Sequence, residues 1–193
     1  VKAVSSQAKK QIHVCNYFLS DIGVKYADEL LDATGFEGVF FGNSGAEANE
    51  AAIKLARKFG QLNGGSKRKT IVTLEHSFHG RTMATLTATG QDIFHPETFA
   101  PYVEGFKTIK PNDYDSLKDA FDDTTAALMM ECVQGEGGVF PLDKEWAKAA
   151  AEAARKAGAI VICDEVQTGM GRTGTLLASE QLEINPEVVT LAK

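Results

Sequence analysis

Cysteine is scarce in this sequence. Only Cys15, Cys132 and Cys163 occur in 193 residues, and no two of them are spaced C-x-x-C. That odd, scattered set argues against a disulfide framework and against a zinc site, and a reducing cytoplasm is the expected location. Positive charge is scarce too. Twenty Lys and Arg against 26 Asp and Glu leave a net charge of −6, so no general attraction to nucleic acid or to anionic membrane is expected. No apolar run approaches the roughly 18 residues that a membrane span needs, and nothing resembles a signal peptide. Repeats and low-complexity tracts are missing, and no domain linker is visible. The chain has no initiator Met; its opening VKAVSSQAKKQIH reads as the tail of an amphipathic helix. It is therefore expected to be part of something larger.

What is present is ordinary globular material, 44% hydrophobic and 24% charged, enough to bury a sizeable core. Helical and strand signals alternate. Val24, Ala27, Leu30 and Leu31 recur at helical spacing before a capping Gly35. GVFFGN (38–43) reads as a strand, and residues 43–60 as a strong helix closed by Gly60. TIVTLE (70–75) is the next strand, and GRTMATLTATG contains a helix. The stretch 93–106 reads as irregular, and Asp113 to Phe121 as a short helix. Strands follow at 125–131 and 159–165, separated by a long helix over 143–158; VVTLA (188–192) is the last strand. Continuous apolar strands alternating with helices predict an α/β fold with a mostly parallel sheet flanked by helices.

In such a sheet, ligands bind beyond the carboxyl ends of the strands. GNSGAEANE, Glu75 with HSFHGRT, Glu131 with CVQGEGG, Asp164 to Gln167, and Lys193 all follow predicted strands. Ser44 and Glu47 match an S-x-x-E capping box. The same helix start, with Gly45 and Ala46 leaving its N–H groups open, suits a phosphate. Asp164 closes an apolar strand, where a carboxylate is costly unless paired; it serves either an internal ion pair or cap, or a bound cation such as a protonated ring nitrogen. Glu165 and Gln167 could reach polar ligand groups, and Val166 offers a flat apolar surface. Phe78 is core or a stacking partner for a planar ring. Arg81 is a surface ion-pair partner or a carboxylate clamp. His76 and His79 lack further ligands at metal spacing, so no metal is expected. GMGRTG (169–174) matches G-x-G-x-x-G, but its acidic residues precede it, and it reads as a turn rather than the core of a nucleotide-binding oxidoreductase. Together, a phosphate cradle, a stacking ring, a buried carboxylate and a lysine after a strand are what a phosphorylated pyridine aldehyde requires.

FFGNSGAEANEAAIKLAR, HSFHGRT, ECVQGEGGV and CDEVQTGMGRTG together resemble class III, PLP-dependent aminotransferases of fold type I, most of all the acetylornithine branch. The resemblance runs from HVCNYF (13–18) to Lys193. It implies the PLP-binding large domain over residues 1–193, with the N-terminal segment and the C-terminal small domain absent. It implies pyridoxal 5′-phosphate as cofactor and a ping-pong transamination from N2-acetylornithine to 2-oxoglutarate, in arginine biosynthesis, by a homodimer. Ornithine or 4-aminobutyrate are the alternative donors. Gly45 and Ala46, with Ser44 beside them, are implied to hold the phosphate. Phe78 and Val166 cover the ring, Asp164 pairs with its nitrogen, and Gln167 approaches its phenolic oxygen. Lys193 is implied to carry the Schiff base and shuttle the proton, Arg81 to bind the α-carboxylate, and Glu136 to act as a gate between donor and acceptor. A piece ending at Lys193 is expected to be inactive alone.

Overall fold

Strand burial dictates the architecture. In a computed structural model, which describes residues 1–15 and 17–193, the chain divides into two units, 1–40 and 41–193. The first holds α1 (Lys2–Lys10) and α2 (Asp21–Thr34). Ser20 caps α2 through Gly23 N–H, and Gly35 ends it in the left-handed region, at φ 74°, as its glycine predicted. Asn16 of the HVCNYF segment lies outside the described residues.

The second unit is built on a five-stranded parallel sheet. Its elements are α3 (Gly45–Gly64), β1 (Thr70–Leu74), α4 (Met83–Ala88), β2 (Phe106–Ile109), β3 (Thr125–Met130), a small β4–β5 pair (Val133–Gln134 and Phe140–Pro141), α5 (Lys144–Lys156), β6 (Ile160–Asp164), α6 (Ala178–Leu182) and β7 (Val188–Thr190). The strand order is β2-β1-β3-β6-β7. Successive strand residues point to opposite faces. Ile71, Ala127, Met129, Ile160 and Ile162 meet Ala52, Ile53 and Ala56 of α3. Val72, Leu74, Leu128, Met130, Val161 and Cys163 meet Trp146, Ala147, Ala150, Ala151 and Ala154 of α5. Both faces are covered, which is why the strands read as unbroken apolar runs. The α/β fold with helices flanking a mostly parallel sheet is thus observed.

Several elements depart from the expectation. Residues 38–43 form no strand, because a strand needs a ladder partner and none pairs with them among the described residues. Residues 106–109 do form one, at the sheet's edge beside β1. Only a turn of 3₁₀ helix forms at Asp115–Leu117. Gly60 does not end α3. It is buried mid-helix where α3 crosses the sheet, and a Cβ there would sit 2.1 Å from the Arg68 carbonyl oxygen and 2.9 Å from Ala126 Cβ. The helix runs one turn further, to the cap at Gly65. The three cysteines are free thiols, and no described helix is long and apolar enough to cross a membrane.

Alanine ordinarily stabilises a helix relative to glycine by about 1 kcal/mol. At Gly60 the backbone clash outweighs that gain, and Gly60→Ala is expected to lower stability by about 2 kcal/mol, read from the urea unfolding midpoint.

Candidate functional site

The carboxyl ends of β1, β3, β6 and β7 and the start of α3 surround a cavity of about 430 Å³. Ser44, Gly45, Ala46, Phe78, Arg81, Asp164, Val166, Gln167 and Lys193 all line it. Nine of the eleven residues singled out in the sequence therefore meet at one place.

At one wall α3 begins. Ser44 Oγ accepts from Glu47 N–H at 3.2 Å, as a cap should, while Glu47 Oε2 takes the Asn43 N–H at 2.5 Å. Gly45 and Ala46 follow as the first two helical residues, whose N–H groups have no carbonyl behind them within the helix. A Cβ on Gly45 would lie 2.8 Å from Val166 Cγ1, so only glycine lets the helix start pack against Val166. Gly80, at φ 136°, likewise brings the 78–82 loop against Ala46.

Asp164 ends β6, 3% exposed. Its Oδ2 accepts from Asn49 Nδ2 at 2.7 Å and faces His79 Nδ1 at 2.8 Å. Its Oδ1 meets Val166 N–H at 3.1 Å and the Thr190 hydroxyl at 3.3 Å, longer contacts that leave this oxygen the more open to a strong donor. Thr190 also donates to Asn49 Oδ1 at 2.7 Å, which fixes the amide's orientation. Burial opposes charge on His79, but the Asp164 hydrogen bond and the charges of Asp164 and Glu131 win, and its pKa is raised. Among the described residues, His79 Nε2 is buried without a hydrogen-bond partner. His76 instead stands exposed at φ 64° beside Phe140, so the two histidines diverge. No group of His, Cys, Asp or Glu among the described residues could hold a metal ion.

Phe78 lines the cavity and stacks edge-on against Phe94, centroids 5.3 Å apart. Its N–H donates to Glu131 Oε2 at 2.9 Å. Gln167 fits because position 135 is glycine: a Cβ there would come within 2.8 Å of Gln167 Oε1. Arg81 is exposed at the mouth and makes no ion pair among the described residues. Lys193 is exposed, and Arg172 Nη2 donates to its carbonyl at 3.3 Å. Arg172 belongs to residues 169–174, which form successive turns with Met170, Gly171 and Gly174 at positive φ, and the five-residue α6 beyond is no dinucleotide-binding helix.

Two expected residues lie elsewhere. Glu165 does not line the cavity. It points to the opposite face from Asp164 and takes Thr168 Oγ1, Ala178 N–H and Ser179 N–H at 2.7, 2.9 and 2.8 Å, anchoring the start of α6. Glu136 is exposed between β4 and β5, outside the cavity lining. Sequence reasoning missed Asn49 and Thr190, gave Glu131 no role and set His79 aside. Asn49 had a visible signal, as the one polar residue in the buried stripe Asn49, Ala52, Ile53, Ala56, Gly60.

A phosphorylated pyridine aldehyde fits this donor set. The open helix start suits its phosphate, Asp164 its ring nitrogen, Phe78 and Val166 its faces, and Lys193 its aldehyde carbon. Glycine at 45 lets that helix start close against Val166, the residue offered to one face of the ring.

A family model described as "Aminotransferase class-III" matches residues 1–193. The acetylornithine aminotransferase of Haemophilus ducreyi is 44% identical over 100% of this chain and 49% of its own length. That of Caldanaerobacter subterraneus subsp. tengcongensis is 45% identical, with the same coverage of each chain. A structure of the ornithine aminotransferase from Toxoplasma gondii, described as showing partial occupancy of PLP at its active site, superposes with a TM-score of 0.90 at 30% identity. It covers 98% of this chain and 46% of that one. The chain spans about half the length of the curated relatives it matches.

Burial, opposed by His79 and aided by Asp164, pushes the Glu131 carboxyl up to about 7 from 4.5. Between those values the unfolded chain ionises and the folded one does not, so this group makes stability fall as pH rises through the window, by about 3 kcal/mol in all. Glu131→Gln removes that dependence. The variant is expected to gain on the parent by up to about that amount from pH 5 to pH 8 in urea unfolding.

Proposed function

The chain belongs to the class-III aminotransferases, and on that premise we propose that the protein moves an amino group from N2-acetylornithine to 2-oxoglutarate with pyridoxal 5′-phosphate as cofactor. Its setting is arginine biosynthesis in the cytoplasm, and its working form a homodimer. Relatives named acetylornithine aminotransferase at 44% and 45% identity support this donor over ornithine and 4-aminobutyrate. The observation that carries the reading is the convergence of an amine, a buried carboxylate, an open helix start and an unpaired guanidinium on one cavity.

Pyridoxal 5′-phosphate, when bound, supplies an aldehyde that condenses with amines and a ring that draws electrons from the neighbouring carbon. The chain's residues do the rest. Gly45 and Ala46 N–H groups bind the phosphate at the positive end of α3, with Ser44 fixing the helix start. Asp164 would pair with the ring nitrogen, and Asn49, His79 and Thr190 hold it aimed into the cavity. Phe78 and Val166 would confine the ring, and Gln167 would approach its phenolic oxygen. Lys193 would present the amine that holds the cofactor and, once the substrate's amine has taken its place, would carry protons to and from the substrate carbon that bears the transferred amino group. Arg81 takes the α-carboxylate in a bidentate pair.

The test is turnover by the full-length protein with 2-oxoglutarate and each of N2-acetylornithine, ornithine and 4-aminobutyrate. N2-acetylornithine is expected to give the highest kcat/KM, and equal or better use of another donor would overturn the assignment. Lys193→Ala is expected to lower kcat by at least about 10⁴-fold. Asp164→Asn is expected to lower kcat by about 10² to 10⁴-fold, since the geometry survives but the charge does not.

A further inference from the structure

We propose that Glu50 is a positioning residue that sets Arg81 for carboxylate binding, through a cap it places on α4 from the neighbouring helix α3. The proposal rests on the carboxylate-binding reading of Arg81 given above.

Arg81 is exposed and makes no ion pair among the described residues. It sits between Gly80, at φ 136°, and Thr82, the N-cap of α4. A long cation on a mobile turn would lose much of its binding energy to ordering, so whatever fixes Gly80–Thr82 fixes the guanidinium's origin. Thr82 and Thr85 supply part of that restraint between themselves, with hydroxyls 2.7 Å apart and Thr82 N–H on Thr85 Oγ1 at 3.1 Å. The remainder comes from Glu50. Its Oε1 accepts from Thr82 Oγ1 at 2.5 Å, from Ala84 N–H at 3.1 Å and from Thr85 N–H at 3.4 Å.

One oxygen thus gathers the N-cap hydroxyl and two of the free N–H groups of α4. A negative charge is well placed there, because a helix start is positive and its first N–H groups lack partners. The neighbouring Asn49 is tied to Asp164 and to the His79 carbonyl, both at 2.7 Å. Consecutive residues of α3 therefore hold the residue facing the cofactor ring and the turn that carries Arg81. One rigid helix thus braces both Asp164 and the turn from which the guanidinium springs.

The experiment uses the full-length, cofactor-loaded protein and glutarate, an unreactive dicarboxylate, as probe. Its Kd is read by calorimetry for the parent, Glu50→Ala, Glu50→Gln and Arg81→Ala. Glu50→Ala is expected to weaken glutarate about 10-fold. Glu50→Gln keeps an acceptor oxygen and is expected to stay within about 3-fold of the parent. The double variant Glu50→Ala/Arg81→Ala is expected to bind no more weakly than Arg81→Ala alone, because both changes remove the same interaction. A carboxylate-free amine donor, 1,4-diaminobutane, is expected to react equally well in the parent and in Glu50→Ala. If Glu50→Ala does not fold, Glu50→Asp, which draws the carboxylate back by one methylene, is expected to show the same loss in smaller degree. Unchanged glutarate affinity in the Glu50 variants beside a loss in Arg81→Ala would overturn the proposal alone, as would equal losses for glutarate and the amine. Unchanged affinity in Arg81→Ala would bring down the carboxylate-binding reading of Arg81 and this proposal with it.

Discussion

A carboxylate buried at the end of a central strand has to be met by donors, and Asp164 is met from four directions. Asn49 comes from α3, His79 from the loop after β1, Thr190 from β7, and the Val166 N–H from the chain just ahead. Leaving such a charge unpaired would cost several kcal/mol. The need to satisfy it therefore holds α3, the β1 loop and β7 in register around β6. The elements drawn together in this way are the ones that line the cavity. The site's electrostatics and its geometry are one constraint.

Helix α3 is the second organising element. Its apolar stripe packs on the sheet through Ala52, Ile53 and Ala56, and buried Gly60 lets it approach the backbone closely. Packing at that end fixes the other end, where Gly45 and Ala46 face the cavity and Asn49 and Glu50 reach across to the His79 carbonyl and Thr82 in the loop after β1. A helix is a stiff carrier, so precision set in the core is passed to the site with little loss.

Three acids at the strand ends behave differently for reasons of side-chain direction and environment. Asp164 shares the face of Ile160 and Ile162, which looks toward α3, and so enters the site. Glu165 shares the face of Val161 and Cys163 and caps α6 instead. Glu131 continues the Ala127 and Met129 face and lines the cavity, where burial pushes its carboxyl up to about 7. The two-residue period of a strand separates Asp164 from Glu165, and that separation was open to reading from the sequence once one face had been assigned to α3.

The α/β fold, the capping of α2 and α3, and nine of the cavity's residues were legible in the sequence. Apolar runs, cap residues and acids at strand ends are local patterns with local causes. Residues 38–43 look like a strand, and 106–109 do not. Which of them pairs depends on what lies alongside, and that is a non-local fact. Gly60 looks like a helix end, yet it is a contact surface for Arg68 and Ala126. His79 looks like a spare histidine, yet it supports Asp164 across 85 positions of chain. The amino-acid sequence by itself determined which chemical groups stand at the ends of strands and helices, since backbone periodicity and capping act over a few residues. Only the tertiary structure decided which of those groups face one another, because that follows from how the helices pack on the sheet, at separations no local pattern encodes.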